Sequence, residues 1–150
     1  MSEPRSLTRP FDRLDITLLA VGTLLVALGV VVVGTESLLV PGAYLVLLGS
    51  STYVVTFGLE TFTGDALGDG ASINEDTGWL IGKLENVLVL TFVLQGEYTA
   101  LSIVFAAKSW VRRDDISSGN TTYYLAGTLL NFAYALVVGL ATLWLAGSGP

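Results

Sequence analysis

Between Lys83 and Lys108 lie 24 residues that are almost all apolar. Wound as one helix at about 1.5 Å per residue, they would measure roughly 36 Å, enough to cross a bilayer core of about 30 Å with some tilt. Three more apolar runs, at residues 16–33, 38–58 and 121–145, impose the same condition. A chain of 150 residues that is 52% hydrophobic and 13% charged has about half the charge of a soluble domain, which carries about 25%. So small a globule cannot bury that much apolar surface, whereas a membrane can. The expected fold is therefore all-α, a four-helix transmembrane bundle made of two helical hairpins. It forms one integral membrane domain with spans near 16–33, 38–58, 79–110 and 121–145. The lipid bilayer is its first partner, and the location is a cell membrane crossed several times.

Composition removes whole classes of chemistry. Cysteine and histidine are both absent, which excludes disulfides, Cys/His metal sites, cysteine nucleophiles and imidazole acid–base catalysis. No paired carboxylates at catalytic spacing, no serine with a base and no phosphate loop is visible, so neither an enzyme nor a cofactor is expected. Seven basic residues against thirteen acidic ones give a formal charge of −6. That balance offers no basic stripe to nucleic acid, and so acidic a membrane protein suits a salt-loving organism.

The first two runs share a pattern. Gly22 and Gly29 in one, and Gly42 and Gly49 in the other, are each a heptad apart. Such glycines share a helix face and let two helices approach closely. A turn at 34–37 joins the runs, so they form the first hairpin, with Pro41 near the start of the second helix. The same alignment of residues 22–29 with 42–49 would also follow from an internal duplication. In the last run Gly127, Asn131, Ala135 and Gly139 recur every four residues as a second small or polar ridge. Residues 59–77 form an acidic loop without Lys or Arg. Its aspartates miss the calcium-loop pattern where Leu67 and Ile73 stand, so it reads as a solvated connection.

The third run carries the polar groups. Taken as one helix at 100° per residue, it places Lys83, Asn86, Glu97 and Lys108 on a single face. Glu97 falls near mid-span beside Gln95 and Gly96. An ionisable group inside a membrane helix is a functional-site candidate by default. The candidate intramembrane site is therefore Glu97 and Gln95 with Asn86, and with Thr128 and Asn131 from the last run. Glu97 either binds a cation or proton there or hydrogen-bonds across to Asn131 or Thr128. Lys83 and Lys108 fall where a helix leaves the hydrocarbon, and snorkelling accounts for them.

Four short blocks recur in order: Gly82, Leu84 and Glu85; Gly96, Glu97 and Tyr98; Ala106, Ala107, Lys108 and Ser109; and Tyr123, Tyr124, Leu125, Gly127, Thr128, Leu129 and Leu130. Over roughly residues 82–140 the chain resembles an uncharacterised family of small bacterial and archaeal multi-span membrane proteins. Some members carry this helical pair as the tail of a larger domain of unknown function. The resemblance implies a fold and no activity. The family tends to have glutamine where this chain has Glu97. That departure favours a hydrogen-bonding role there and raises Glu85, Lys108, Ser109 and Gly127 as shared interface residues. In one straight helix Glu85 and Lys108 would lie about 35 Å apart and could not meet.

Orientation is contested. Positive charge belongs in the cytoplasm, yet four spans put the arginines at 5, 9 and 13 opposite Lys108, Arg112 and Arg113. The first helix decides for a cytoplasmic N-terminus. The expected function is a non-catalytic structural or accessory membrane component, self-associating or bound to another membrane protein. The alternative is a small oligomeric transporter or channel for a cation or proton, built on the polar face around Glu97.

Overall fold

The computed structural model describes residues 10–32, 36–63, 75–111 and 121–147. These form five helices: α1 (Pro10–Val31), α2 (Glu36–Thr63), α3 (Glu75–Leu94), α4 (Tyr98–Val111) and α5 (Thr121–Leu145). The all-α class is as expected. The number of helices is not, because residues 79–110 are two helices and not one continuous span.

Three helices are long and apolar enough to cross a membrane, over Arg13–Val31, Glu36–Leu59 and Ala126–Leu145. Their outward faces are apolar: Leu24 and Phe57 are 59% and 72% exposed, and Val137 and Trp144 are 60% and 76% exposed. The interior, by contrast, holds Asp15, Lys83, Asn86 and Asn131. Apolar outside with polar groups inside is the distribution that a hydrocarbon solvent selects.

The glycine pattern of the first two runs builds the α1–α2 hairpin. A Cβ added at Gly22 would stand 2.5 Å from the Val46 nitrogen, and one at Gly49 would stand 2.5 Å from the Leu19 nitrogen. Gly29 meets Leu39 at 2.9 Å and Gly42 meets Val26 at 2.8 Å in the same sense. All four glycines therefore line one antiparallel seam, where only hydrogen fits between the backbones. Pro41 lies inside α2, further in than expected, because the helix begins at Glu36 and not at residue 38.

The small ridge of α5 does the same work against α3. Gly139 would place a Cβ 2.6 Å from Val93, and Ala135 is fully buried among Leu47, Leu90 and Val93. The contacts Gly82–Asn131 and Val93–Gly139 show α3 and α5 running parallel. Gly58–Leu130 and Leu59–Gly127 show α2 antiparallel to both. Tyr44 and Tyr134 tie these layers together. The Thr91 and Ser50 hydroxyls each donate to their own helix, to Val87 and Val46. Each tyrosine therefore donates across, Tyr44 to Thr91 at 2.7 Å and Tyr134 to Ser50 at 2.5 Å.

The acidic loop is shorter than expected at both ends. α2 continues to Thr63 and α3 starts at Glu75, and residues 64–74, with Asp65 and Asp69, lie outside the described residues.

Candidate functional site

What divides the third run is a helix stop at Gly96. Its φ is +70°, a left-handed conformation natural to glycine. The Gly96 N–H donates to Val93 O at 3.0 Å, and the Glu97 N–H donates to Phe92 O at 2.8 Å. These are the paired bonds of a Schellman cap, which close a helix by satisfying its last carbonyls. The next helix starts at once, with Leu101 N–H donating to Glu97 O at 3.1 Å. Glu97 thus occupies the N-cap position of α4, where a carboxylate complements the positive end of the helix dipole.

Past the stop the chain doubles back. Lys108 of α4 forms an ion pair with Glu85 of α3. The stop lies about 15 Å from Glu85 and about 16 Å from Lys108 along their helices, so contact between the two side chains requires α4 to fold back beside α3. Phe105 of α4 meets Phe132 of α5 as a tilted ring pair with centroids 4.9 Å apart, and Leu101 is buried in the main core. Helix α4 therefore lies over the α3–α5 seam. The pairing of Glu85 with Lys108, which a straight helix forbids, is the consequence.

Glu97 accordingly lies near one end of the helical bundle and not at its middle. Val93 meets Gly139. From that level Glu97 is about 6 Å onward and Leu145 about 9 Å onward, so the hairpin tip sits within about a turn of the end of α5. Gln95 and Glu97 are exposed there, away from Asn86, Thr128 and Asn131. The five expected site residues therefore separate into an exposed pair at the tip and a buried trio at a cavity. Of the shared interface residues, Glu85 and Lys108 pair. Ser109 is exposed and donates to Phe105 O within α4 at 2.9 Å. Gly127 leaves 3.6 Å between an added Cβ and Leu59.

The real concentration of polar contacts lies on one turn of α3, residues 82–86. Lys83 is 8% exposed and Asp15 3%, and Lys83 does not snorkel outward as expected. Its Nζ meets Asp15 Oδ1 at 3.2 Å, donates to Leu48 O on α2, and stands 5.3 Å from the centre of the Trp79 ring. Thr52 of α2 donates to the other Asp15 oxygen at 3.2 Å. One residue back, Gly82 O accepts Asn131 Nδ2 of α5 at 3.2 Å. Two residues on, Glu85 holds Lys108 of α4. A single turn of α3 therefore fastens the four other helices: α1 through Asp15, α2 through Leu48 O, α4 through Lys108 and α5 through Asn131.

Asp15 is the member that the sequence hides. It stands two residues after Arg13, at the edge of the polar N-terminal stretch, and reads as part of it. The available signal is that it already belongs to α1, one residue ahead of the apolar run. Asn86 completes the turn. Its side chain lines a cavity of about 30 Å³ between α3, α4 and α5, with Thr128 and Asn131 also on the wall. Among the described residues, no group of three acidic side chains converges as a metal site would require. No protein-family model, curated protein or solved structure matches this chain.

Proposed function

We propose that this chain is a non-catalytic integral membrane component, a scaffold or accessory subunit. The observation that carries the reading is the belt on residues 82–86 of α3. Its charged groups are spent on each other, Asp15 with Lys83 and Glu85 with Lys108. A transport site keeps a charge available for its cargo, whereas this arrangement uses charge to hold helices in register. The exposed carboxylate of Glu97 stands at the positive end of the α4 dipole.

The reading extends to orientation. Helix α4 returns toward the end of the molecule at which α1 begins, so Lys108 and Arg13 share a side. The conflict between the two basic clusters then disappears, and the positive-inside preference places that side, with the N-terminus, in the cytoplasm. The start of α1 and the end of α5 fall on opposite faces.

The alternative, an oligomeric cation or proton transporter, finds its support at the Asn86 cavity and not at Glu97. Mass and composition of the complex extracted from native membranes in mild detergent test the two readings. The scaffold reading expects another membrane protein in fixed ratio, or a homo-oligomer that shows no cation or proton flux in liposomes. A homo-oligomer with flux above that of protein-free liposomes would overturn it.

A further inference from the structure

Helix α4 has 14 residues, Tyr98 to Val111, and so measures about 21 Å. A hydrocarbon core of ordinary thickness measures about 30 Å. The helix lies at the edge of the molecule, with Ile103 64% and Trp110 73% exposed. A charged group stands near each of its ends. At one, Glu97 is exposed at the hairpin tip, and an exposed carboxylate belongs among headgroups or in water and not in hydrocarbon. At the other, Lys108 pairs with Glu85 while the two side chains stay 22% and 28% exposed. Glu97 and Lys108 are 11 residues apart, about 17 Å along the helix.

Helix α1 gives the contrast. It packs on α2 through the glycine seam, whereas α4 packs on α3 and α5, so the two form different flanks of the molecule. From Leu14 to Val32 the exposed side chains of α1 are apolar, apart from Thr17 and Thr23, whose hydroxyls donate to the carbonyls of Arg13 and Leu19. That stretch measures about 27 Å, close to an ordinary core. The α4 flank is shorter than this by roughly 6–10 Å. A short apolar flank is met by thinning of the adjacent bilayer or by cover from another helix. The aromatic residues decide between the two. Tyr98 and Trp110 are exposed at the two ends of α4, with Ile103 and Val104 exposed between them, and aromatic rings bracketing an aliphatic band mark the two headgroup levels of a lipid-facing surface. We propose that α4 faces lipid and thins the bilayer beside it, so that this flank selects lipids with short acyl chains while the α1 flank takes chains of ordinary length. The proposal rests on the reading of the chain as an integral membrane protein with α4 folded back in the bilayer.

The chain has three tryptophans, Trp79, Trp110 and Trp144. Full-length protein with Trp79→Phe and Trp144→Phe keeps Trp110 as the reporter on α4. Adding Trp110→Phe and Leu24→Trp moves the reporter to α1, where Leu24 is 59% exposed. If Trp79→Phe impairs folding, because Trp79 lies against Lys83, Trp79 is kept in both proteins and the Trp110 signal is taken by difference from Trp110→Phe. Each protein is reconstituted in phosphatidylcholine vesicles in which a brominated 18-carbon lipid, a contact quencher of tryptophan fluorescence, competes with unbrominated 14-carbon or 18-carbon lipid. The expected result at Trp110 is that 14-carbon lipid displaces the quencher roughly twofold better than 18-carbon lipid does, and at position 24 no better. Equal or weaker displacement by 14-carbon lipid at Trp110, or the same preference at both positions, would overturn the proposal. Quenching at position 24 with none at Trp110 would also overturn it, because protein and not lipid would then cover α4. No quenching at either position would overturn the membrane reading itself, and the proposal with it.

Discussion

A lysine on the surface of a helix contributes little; Lys83 is buried, and its removal is another matter. Taking away one partner of a buried ion pair leaves the other charge desolvated and costs about 3–5 kcal/mol, whereas replacing both with apolar side chains is often neutral. Lys83→Met is therefore expected to destabilise the protein by that amount, and Asp15→Leu with Lys83→Met by much less than the sum of the two singles. Denaturant unfolding in micelles over the four-member cycle measures it, and additive effects would show that the pair carries no coupling. At this scale the sequence was partly legible. Lys83 and Asn86 could be placed on one inward face from helical periodicity alone. Asp15 could not be linked to them, because 68 residues separate it from Lys83 and no local pattern reports a pairing across three helices.

Among the helices, the glycine heptads were the clearest text. Gly22, Gly29, Gly42 and Gly49 marked the α1–α2 seam because period and residue size both point to close approach, and neither depends on the rest of the fold. The break between α3 and α4 was harder to read. Gln95, Gly96 and Glu97 look like polar intrusions in an otherwise ideal span, and the hydrophobic runs on either side fuse into one. Only the left-handed φ at Gly96 separates them. A glycine followed by an acidic residue and a fresh helical run is a stop and a restart, and that was the available signal. The α5 ridge supplies the prediction at this scale. Gly139→Ala drives a Cβ to 2.6 Å from Val93, whereas Gly127→Ala finds 3.6 Å to Leu59. Overpacking costs about 1–3 kcal/mol, so Gly139→Ala is expected to lower stability by that much and Gly127→Ala to leave it unchanged or raise it slightly. Melting temperatures of the two variants in the same detergent decide the matter, and equal losses would contradict the parallel α3–α5 seam.

For the molecule as a whole, hydropathy reveals that the chain belongs in a bilayer but not how often it crosses. α1, α2 and α5 are each long and apolar enough to do so, and the proposed orientation has the α3–α4 hairpin enter and return on the same side. Four straight spans would put a position between α4 and α5 opposite the N-terminus; the proposed orientation, with α4 doubled back, puts it on the same side. The return of α4 also underlies the Glu85–Lys108 pair and the cavity between α3, α4 and α5. Because the chain has no cysteine, single cysteines can report on this cleanly. The decisive measurement is labelling of Ser6→Cys, Ser37→Cys and Ser117→Cys by a membrane-impermeant maleimide, in right-side-out and in inverted vesicles. The account predicts that positions 6 and 117 react together from the cytoplasmic side and position 37 from the other. Reaction of 117 together with 37, and not with 6, would contradict it.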